Sequence, residues 1–455
     1  VSTALETSDP KPTWRARLAN SVADPVLRIL VGATLISRVG RGIFLTVTVL
    51  YFSLIVGLSP ADLAVILAAA SGAGVVAAFV GGWLADRWSA KKLIVTFTAI
   101  GGTNLVAYVF AHDFWSALVL ATLFGFFDQA ANSTRSAIIA RGFDGESRVQ
   151  ARAVLRTVTN VSIAAGSGLG ALALAIGTAD AYRTLIVGAG ILDLLGLVLL
   201  VRLPARVDAP SFGARRVREP VVTETGSLDA QATADALAAE RRDWRRRSPW
   251  RDPRYLLLTL CSAVFGMQFG VGELAVPLWI THETDAPNVL VAVLLVINTL
   301  VVVLFQVPLS RGTHDLRVAA RAAAVAAWLM AAACVVYAAA AGLPVGFAVA
   351  VLVVAALAHA FAEVLSQAGG WGLSFELADP ARAGAYQGVY GMGYSVGALS
   401  APLVINATAL SHGFAGWVAL GAIFLASGLG TWWIARRAAS RTAESTADVP
   451  APVLA

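Results

Sequence analysis

The sequence predicts an all-α polytopic membrane protein: twelve transmembrane helices in two pseudo-symmetric six-helix bundles. Three observations predict it. Of 455 residues, 58% are hydrophobic and only 14% charged, against about a quarter charged in an ordinary soluble domain. Apolar runs of membrane-spanning length fill the chain, and one polar, arginine-rich insert divides them into two sets of six.

A spanning helix needs about 20 mostly apolar residues to cross a hydrocarbon layer about 30 Å thick. Windows of that length fall at 28–56, 61–82, 93–111, 114–139, 151–176 and 182–202, then at 255–280, 288–309, 317–340, 344–370, 382–408 and 413–435. Open sheet edges cannot be satisfied in lipid, and the runs lack the alternation of barrel strands, so the spans are helical. The expected organisation is a cytoplasmic N-terminal tail over 1–27, a first bundle over 28–203, a cytoplasmic linker over 204–254, a second bundle over 255–437 and a disordered cytoplasmic tail over 438–455.

The tail before the first span is polar, with Lys11, Arg15 and Arg17, and shows no cleavable signal; the first span is expected to serve as the insertion signal. The linker carries Pro210, Pro220, an acidic stretch over 224–240 and arginines over 241–247. A solvated tether fits it better than an amphipathic helix over 228–244 lying on the membrane.

Lysine and arginine gather on the cytoplasmic side of short loops. Of 34 such residues, Arg38 and Arg41 fall inside the first span and Arg183 in an odd-side loop; the others read as lying at or near the opposite side. Both termini are therefore expected in the cytoplasm. The net charge of +6 is a topology signal with a weak pull toward anionic lipid, and no nucleic-acid partner is expected. Cys261 and Cys334 both fall within spans, so neither a disulfide framework nor a metal cluster is predicted. No cofactor is expected.

Between the second and third spans the chain reads Gly82-Trp83-Leu84-Ala85-Asp86-Arg87-Trp88-Ser89-Ala90-Lys91-Lys92. This resembles the signature loop of the major facilitator superfamily, G-x-L-a-D-r-x-G-r-k: Gly82, Leu84, Ala85, Asp86, Arg87 and Lys91 match, while Ser89 replaces the second glycine and Ala90 a basic residue. Independently of the family, glycine lets two helices approach, and a carboxylate there can cap a neighbouring helix N-terminus. The resemblance covers residues 28 to 437 and implies that Asp86 helps hold the cytoplasmic side closed against the other bundle. Gly82, Asp86, Arg87 and Lys91 form the expected gating loop. In the second half, Ser310 stands where the aspartate would be, beside Arg311.

In the fifth span, Ser162 to Gly170 resembles the G-x-x-x-G-P-x-x-G-G element of drug and proton antiporters, with Ser162, Ser167 and Ala171 replacing a glycine, the proline and the last glycine. A small face recurring every four residues also serves plain helix packing.

Ionisable groups inside the bilayer cost about 2.5 to 3.5 kcal/mol or more and normally face a watery interior. Thr34, Arg38, Arg41 and Thr48 share a face of the first span; Asp128, Asn132 and Arg135 stripe the fourth; His359, Glu363 and Gln367 the tenth; Glu273 lies in the seventh and Asp193 in the sixth. In the family, helices one, four, seven and ten line the central cavity. Arg38 or Arg41 is expected to pair with Asp128, each offsetting the other's desolvation. Glu273 and Glu363 have no basic partner near in sequence; since burial disfavours a carboxylate's charged form, they are the proton-carrier candidates, with His359 one turn from Glu363 as a relay. Arg38, Arg41, Asp128, Asn132, Tyr390 and Tyr394 are the cavity candidates. Asp193 reads as a brace for the sixth helix, and Trp83, Trp88, Trp279 and Trp371 as interface anchors.

The resemblance implies a secondary transporter, not an enzyme, working by alternating access as a monomer in a bacterial plasma membrane. No Walker loop, zinc pair or nucleophile elbow accompanies the spans. The leading expectation is proton-coupled export of a drug or secondary metabolite. A proton-linked importer of a polar or anionic nutrient, favoured by the arginines of the first span, and a non-transporting scaffold using the linker are the alternatives. The partners implied are a small-molecule substrate, protons and the lipid bilayer.

Overall fold

The structure, a computed structural model, describes residues 24–208 and 247–447. Most of the linker (209–246), including the 228–244 stretch, and the ends of both tails (1–23 and 448–455) lie outside the described residues.

The first half comprises α1 (Pro25–Leu50, prolonged by a π turn over Tyr51–Ile55), α2 (Pro60–Ala85), α3 (Ala90–Ala107), α4 (Phe114–Gly142), α5 (Gly145–Ile176) and α6 (Ala179–Leu200). In the second half, α7 runs over Pro253–Glu283 with a π turn at Val271–Ala275. It is followed by α8 (Val289–Leu309), α9 (Leu316–Ala338), α10 (Val345–Glu376), α11 (Ala383–Ile405) and α12 (Ser411–Ala447). Eleven helical stretches among the described residues are apolar and long enough to cross a membrane. The last of them, Pro380–Arg441, is two helices turned at Gly413, whose φ of 54° and ψ of −134° a side chain would oppose. The spans therefore number twelve.

Helix starts follow local chemistry. Asp24, Ser59, Asp113, Asp252 and Asp315 each accept hydrogen bonds from first-turn N–H groups, and prolines stand in the first turn after Asp24, Ser59 and Asp252. Ser59 with Asp62, and Asp113 with Ser116, form reciprocal capping boxes. Outward faces carry exposed Leu54, Leu295 and Leu403, as expected where lipid is the solvent.

The main helix contacts of the first half recur in the second. Helix α1 packs on α5 and α6, α2 on α4, and α3 on α4 and α6; likewise α7 packs on α11 and α12, α8 on α10, and α9 on α10 and α12. The halves meet through α2 against α11 and α5 against α8, a symmetry-related pair. The basic loops, with Arg87, Arg148, Arg206, Arg311 and Arg382, gather at one end, called here the basic end.

The small face of α5 is an α1 contact. A Cβ on Gly166 would run into the Val39 carbonyl oxygen, one on Gly42 into the backbone of Ile163, and one on Gly170 would lie 2.7 Å from Thr46 Cβ. The second half repeats the device, with Gly397 on Ala263 and Gly393 on Thr259. Gly166→Val is accordingly expected to lower stability by about 1–3 kcal/mol, the cost of overpacking, read as an earlier thermal unfolding midpoint in detergent. Gly168→Ala, with nothing within 4 Å of its added Cβ, should leave the midpoint unchanged or higher.

Three expectations need correction. The fifth helix starts at Gly145 and the tenth runs to Glu376, so Arg152 and Arg156 lie inside a span and not at its mouth. Residues 438–447, expected to be disordered, continue α12. Trp279 and Trp371 are not interface anchors: Trp279 is buried and donates to the Tyr337 carbonyl at 2.9 Å, and Trp371 is buried between the halves.

Candidate functional site

Helices that pack closely along their glycine faces leave room where long polar side chains converge. A cavity of about 370 Å³ lies between the halves at mid-depth. Its wall comes from α1 (Thr34, Arg38), α4 (Asp128, Asn132, Arg135), α5 (Arg152, Arg156), α10 (Gln367, Trp371) and α11 (Gln387, Tyr390, Tyr394). Helices α1, α4 and α10 match the expectation; α7 contributes no wall residue, and α5 and α11 take its place. Four arginines and one carboxylate line this wall.

The expected pairing at Asp128 involves both arginines. Arg38 Nη1 lies 3.5 Å from Oδ1, and Arg41 Nη1 lies 3.6 Å from Oδ2. The Arg41 guanidinium sits over the rings of Phe44 and Phe124, at 5.5 and 5.1 Å, outside the cavity wall. Arg152 donates to Ser136 Oγ at 2.6 Å and faces the Trp371 ring at 5.7 Å. Arg135 differs from all of these: it is only 8% exposed, makes no hydrogen bond or ion pair among the described residues, and its Nε is buried without an acceptor.

Glu363 has a basic partner that its sequence neighbourhood does not reveal. Arg156 Nη2, from the opposite half, lies 2.9 Å from Oε1, and Asn298 Nδ2 donates to Oε2 at 3.0 Å. Both carboxylate oxygens are thus engaged. His359 is buried in the second half with Nδ1 3.5 Å from Tyr337 Oη, away from the cavity wall. Glu273 is exposed within α7, outside the wall, and makes no hydrogen bond or ion pair among the described residues. Gln367 donates to Tyr394 Oη, and Gln129 Nε2 to Ser395 Oγ at 3.2 Å, the latter bond joining the halves.

At the basic end the loop after α2 locks onto α11. Asp86 Oδ1 accepts from the Gly384 N–H at 2.8 Å and Oδ2 from the Ala385 N–H at 2.6 Å, so the carboxylate sits on the α11 N-terminus, where anions are favoured. Arg141 adds an ion pair to Asp86. Burial pushes the Asp86 carboxyl above its usual range, while Arg141 and the two N–H groups pull it down. Gly82 makes the approach possible, because its Cα faces the backbones of Gly384 and Gly388. Arg87 stacks on Trp83 at 3.8 Å, and the Lys91 N–H donates to Asp208 at 3.0 Å, which ties the loop to the segment after α6. Arg148 and Glu376 form a further link between the halves at 3.5 Å. Among the described residues, hydrogen bonds and ion pairs between the halves run from this end to mid-depth and no further, so the cavity is closed toward the basic end.

Arg152, Arg156, Gln129 and Gln387 are site residues that the sequence reading did not single out. For the arginines a signal existed: Arg148, Arg152 and Arg156 recur every fourth residue and so share one helical face.

A family model described as Major Facilitator Superfamily matches residues 30–402. No match is found among curated protein sequences. Solved structures similar in fold include the human organic anion transporter MFSD10, at 16% identity and a TM-score of 0.66, covering 90% of this chain and 99% of that one. Two others are the transporter FucP in its outward conformation (13%, 0.63, 92% and 99%) and the proton:xylose symporter XylE (15%, 0.62, 91% and 96%).

Proposed function

We propose that this chain, which belongs to the Major Facilitator Superfamily and is a secondary transporter, not an enzyme, carries a small anion across the membrane by alternating access. The observation that carries this reading is Arg135, a buried cation that makes no hydrogen bond or ion pair among the described residues, in the wall of the central cavity. A charge left unpaired at this depth costs several kcal/mol, and an anion held by Arg135 and Arg152 would offset that cost. One fold relative is named as an organic anion transporter; at this low identity the likeness concerns fold, and the reading rests on the arginines. Drug export loses its main support, since the small face of α5 is taken up in packing α1 and has a plain counterpart on α11.

In this reading the basic end faces the cytoplasm, and the state described here loads from the opposite side. Passage to the other state separates α5 from α10, so the Arg156–Glu363 pair breaks and reforms in each cycle. Glu363→Gln leaves Arg156 without its carboxylate and is expected to slow flux by about tenfold, well short of the about 3–5 kcal/mol measured for fully buried pairs because Arg156 is partly exposed. Adding Arg156→Gln should restore part of that loss. Equal losses in the single and double variants would remove the pair from the cycle.

The direct test is flux in proteoliposomes over matched panels of organic anions, neutral solutes and lipophilic cations. Saturable transport confined to anions is expected. Transport confined to cations, or no discrimination by charge, would overturn the anion assignment while leaving the family intact.

A further inference from the structure

Behind the charged wall, on its α6 side, lies a second cavity of about 30 Å³, room for a water molecule. Arg38, Asp128 and Arg135 line both cavities; Asp193 lines only the smaller one. Asp193 is set there by close crossing of α3 and α6, where a Cβ on Gly102 would lie 3.2 Å from Asp193 Cβ. It makes no hydrogen bond or ion pair among the described residues, whereas its neighbour Asp128 is held by Arg38 and Arg41.

The groups facing Asp193 come from two helices: Arg38 and Arg41 from α1, Asp128 and Arg135 from α4. Helix α3 offers this cavity Phe97, Thr98 and Gly101 and no titratable side chain, and α5 offers it no residue. An unpaired intramembrane carboxyl has two inexpensive states: bound to a proton, or drawn toward a nearby cation. The nearby cation without a fixed partner is Arg135.

We infer that Asp193 is the proton-binding group of the transporter, and that it couples proton to substrate by competing with the anion for Arg135 and Arg38. The inference rests on the anion reading above. When a solution proton binds the Asp193 carboxylate, the five-residue cluster gains one unit of positive charge and the arginines turn wholly toward the central cavity. The anion then binds more tightly, and by linkage a bound anion raises the proton's affinity equally. Proton and anion therefore travel together, in symport. Asp193 does not touch the anion; it acts through the arginines as a positioning residue.

The test measures binding of two probes that stay ionised throughout, benzoate and sulfate, to protein in nanodiscs between about pH 5.5 and 8.5. In the wild type, affinity is expected to fall as pH rises, by about 5- to 150-fold for a coupling of ordinary size. In Asp193→Asn, a mimic of the protonated group, affinity should stay near the wild-type low-pH value at every pH. Asp193→Glu should keep the pH dependence and guards against a folding defect in the first variant. A pH dependence unchanged in Asp193→Asn would overturn the inference. If neither probe binds the wild type, the anion reading fails on its own. The infrared carbonyl band of a protonated carboxyl, taken as wild type minus Asp193→Asn, then decides the proton site: a band that titrates with pH upholds it, and its absence overturns it.

Discussion

Replacing Arg135 with glutamine is expected to abolish high-affinity anion binding while making the protein more stable. A charge-assisted hydrogen bond contributes about 1.5–3 kcal/mol, so affinity should drop by roughly 10- to 100-fold. Stability should move the other way, because among the described residues this buried guanidinium makes no hydrogen bond or ion pair and its Nε has no acceptor, and removing a buried charge without a hydrogen-bonded partner relieves its desolvation cost. Arg135→Lys keeps the charge but loses the planar fork of donors and should bind at an intermediate level. Titration of anion affinity beside thermal unfolding checks both halves of the prediction. A variant that binds normally, or one that unfolds earlier, would show that Arg135 serves the fold and not the ligand.

The second large effect is expected at the crossing of α2 and α11. Gly82→Val places side-chain atoms where the backbones of Gly384 and Gly388 already stand, so the basic end cannot close. Asp86→Asn keeps one acceptor for the α11 N-terminus but leaves Arg141 without its carboxylate, and its effect should be smaller. Spin labels at Lys92 and Arg317, on exposed ends of α3 and α9 in opposite halves, report the distance, with buried Cys261 and Cys334 replaced by alanine. A wider basic end is expected in Gly82→Val, with partial widening in Asp86→Asn and a matching loss of flux. An unchanged distance in Gly82→Val would sink the gate assignment.

Sequence and structure agree most closely where one physical rule dominates. In lipid every backbone group must be bonded within its own segment, so a span runs as far as its apolar residues do, and several begin at polar caps such as Asp24, Ser59 and Asp315. The observed ends at Ile55, Phe110, Leu309 and Ala338 fall within a few residues of the expected ones. The Gly82–Asp86 loop is legible for the same kind of reason, since a tight turn between two spans needs a small residue and a charge, and Asp86 does meet the other half. Arg38 and Arg41 are legible as one face of α1 because helical spacing stacks like positions, and their meeting with Asp128 because opposite charges in lipid offset each other's desolvation.

Other parts of the site are not legible. Arg152 and Arg156 continue a run of arginines from the basic loop, and spacing alone cannot say whether such a run snorkels to the interface or turns inward. Glu363 reads as free in the sequence because its partner stands 207 positions earlier in the chain. The antiporter-like face of α5 cannot be told from packing until α1 is seen seated on it.

The sequence by itself determined the class of the protein, the number and order of its spans, the end that carries positive charge and the polar faces of α1, α4 and α10, because these depend on hydrophobicity and local periodicity alone. Only the tertiary structure decided which charges meet. It gave Arg156 to Glu363, left Arg135 without a hydrogen bond or ion pair among the described residues and set Asp193 behind it, because helix rotations are fixed by close packing against distant neighbours, such as Gly166 on Val39 and Gly102 against Asp193, and side-chain pairing follows from that rotation.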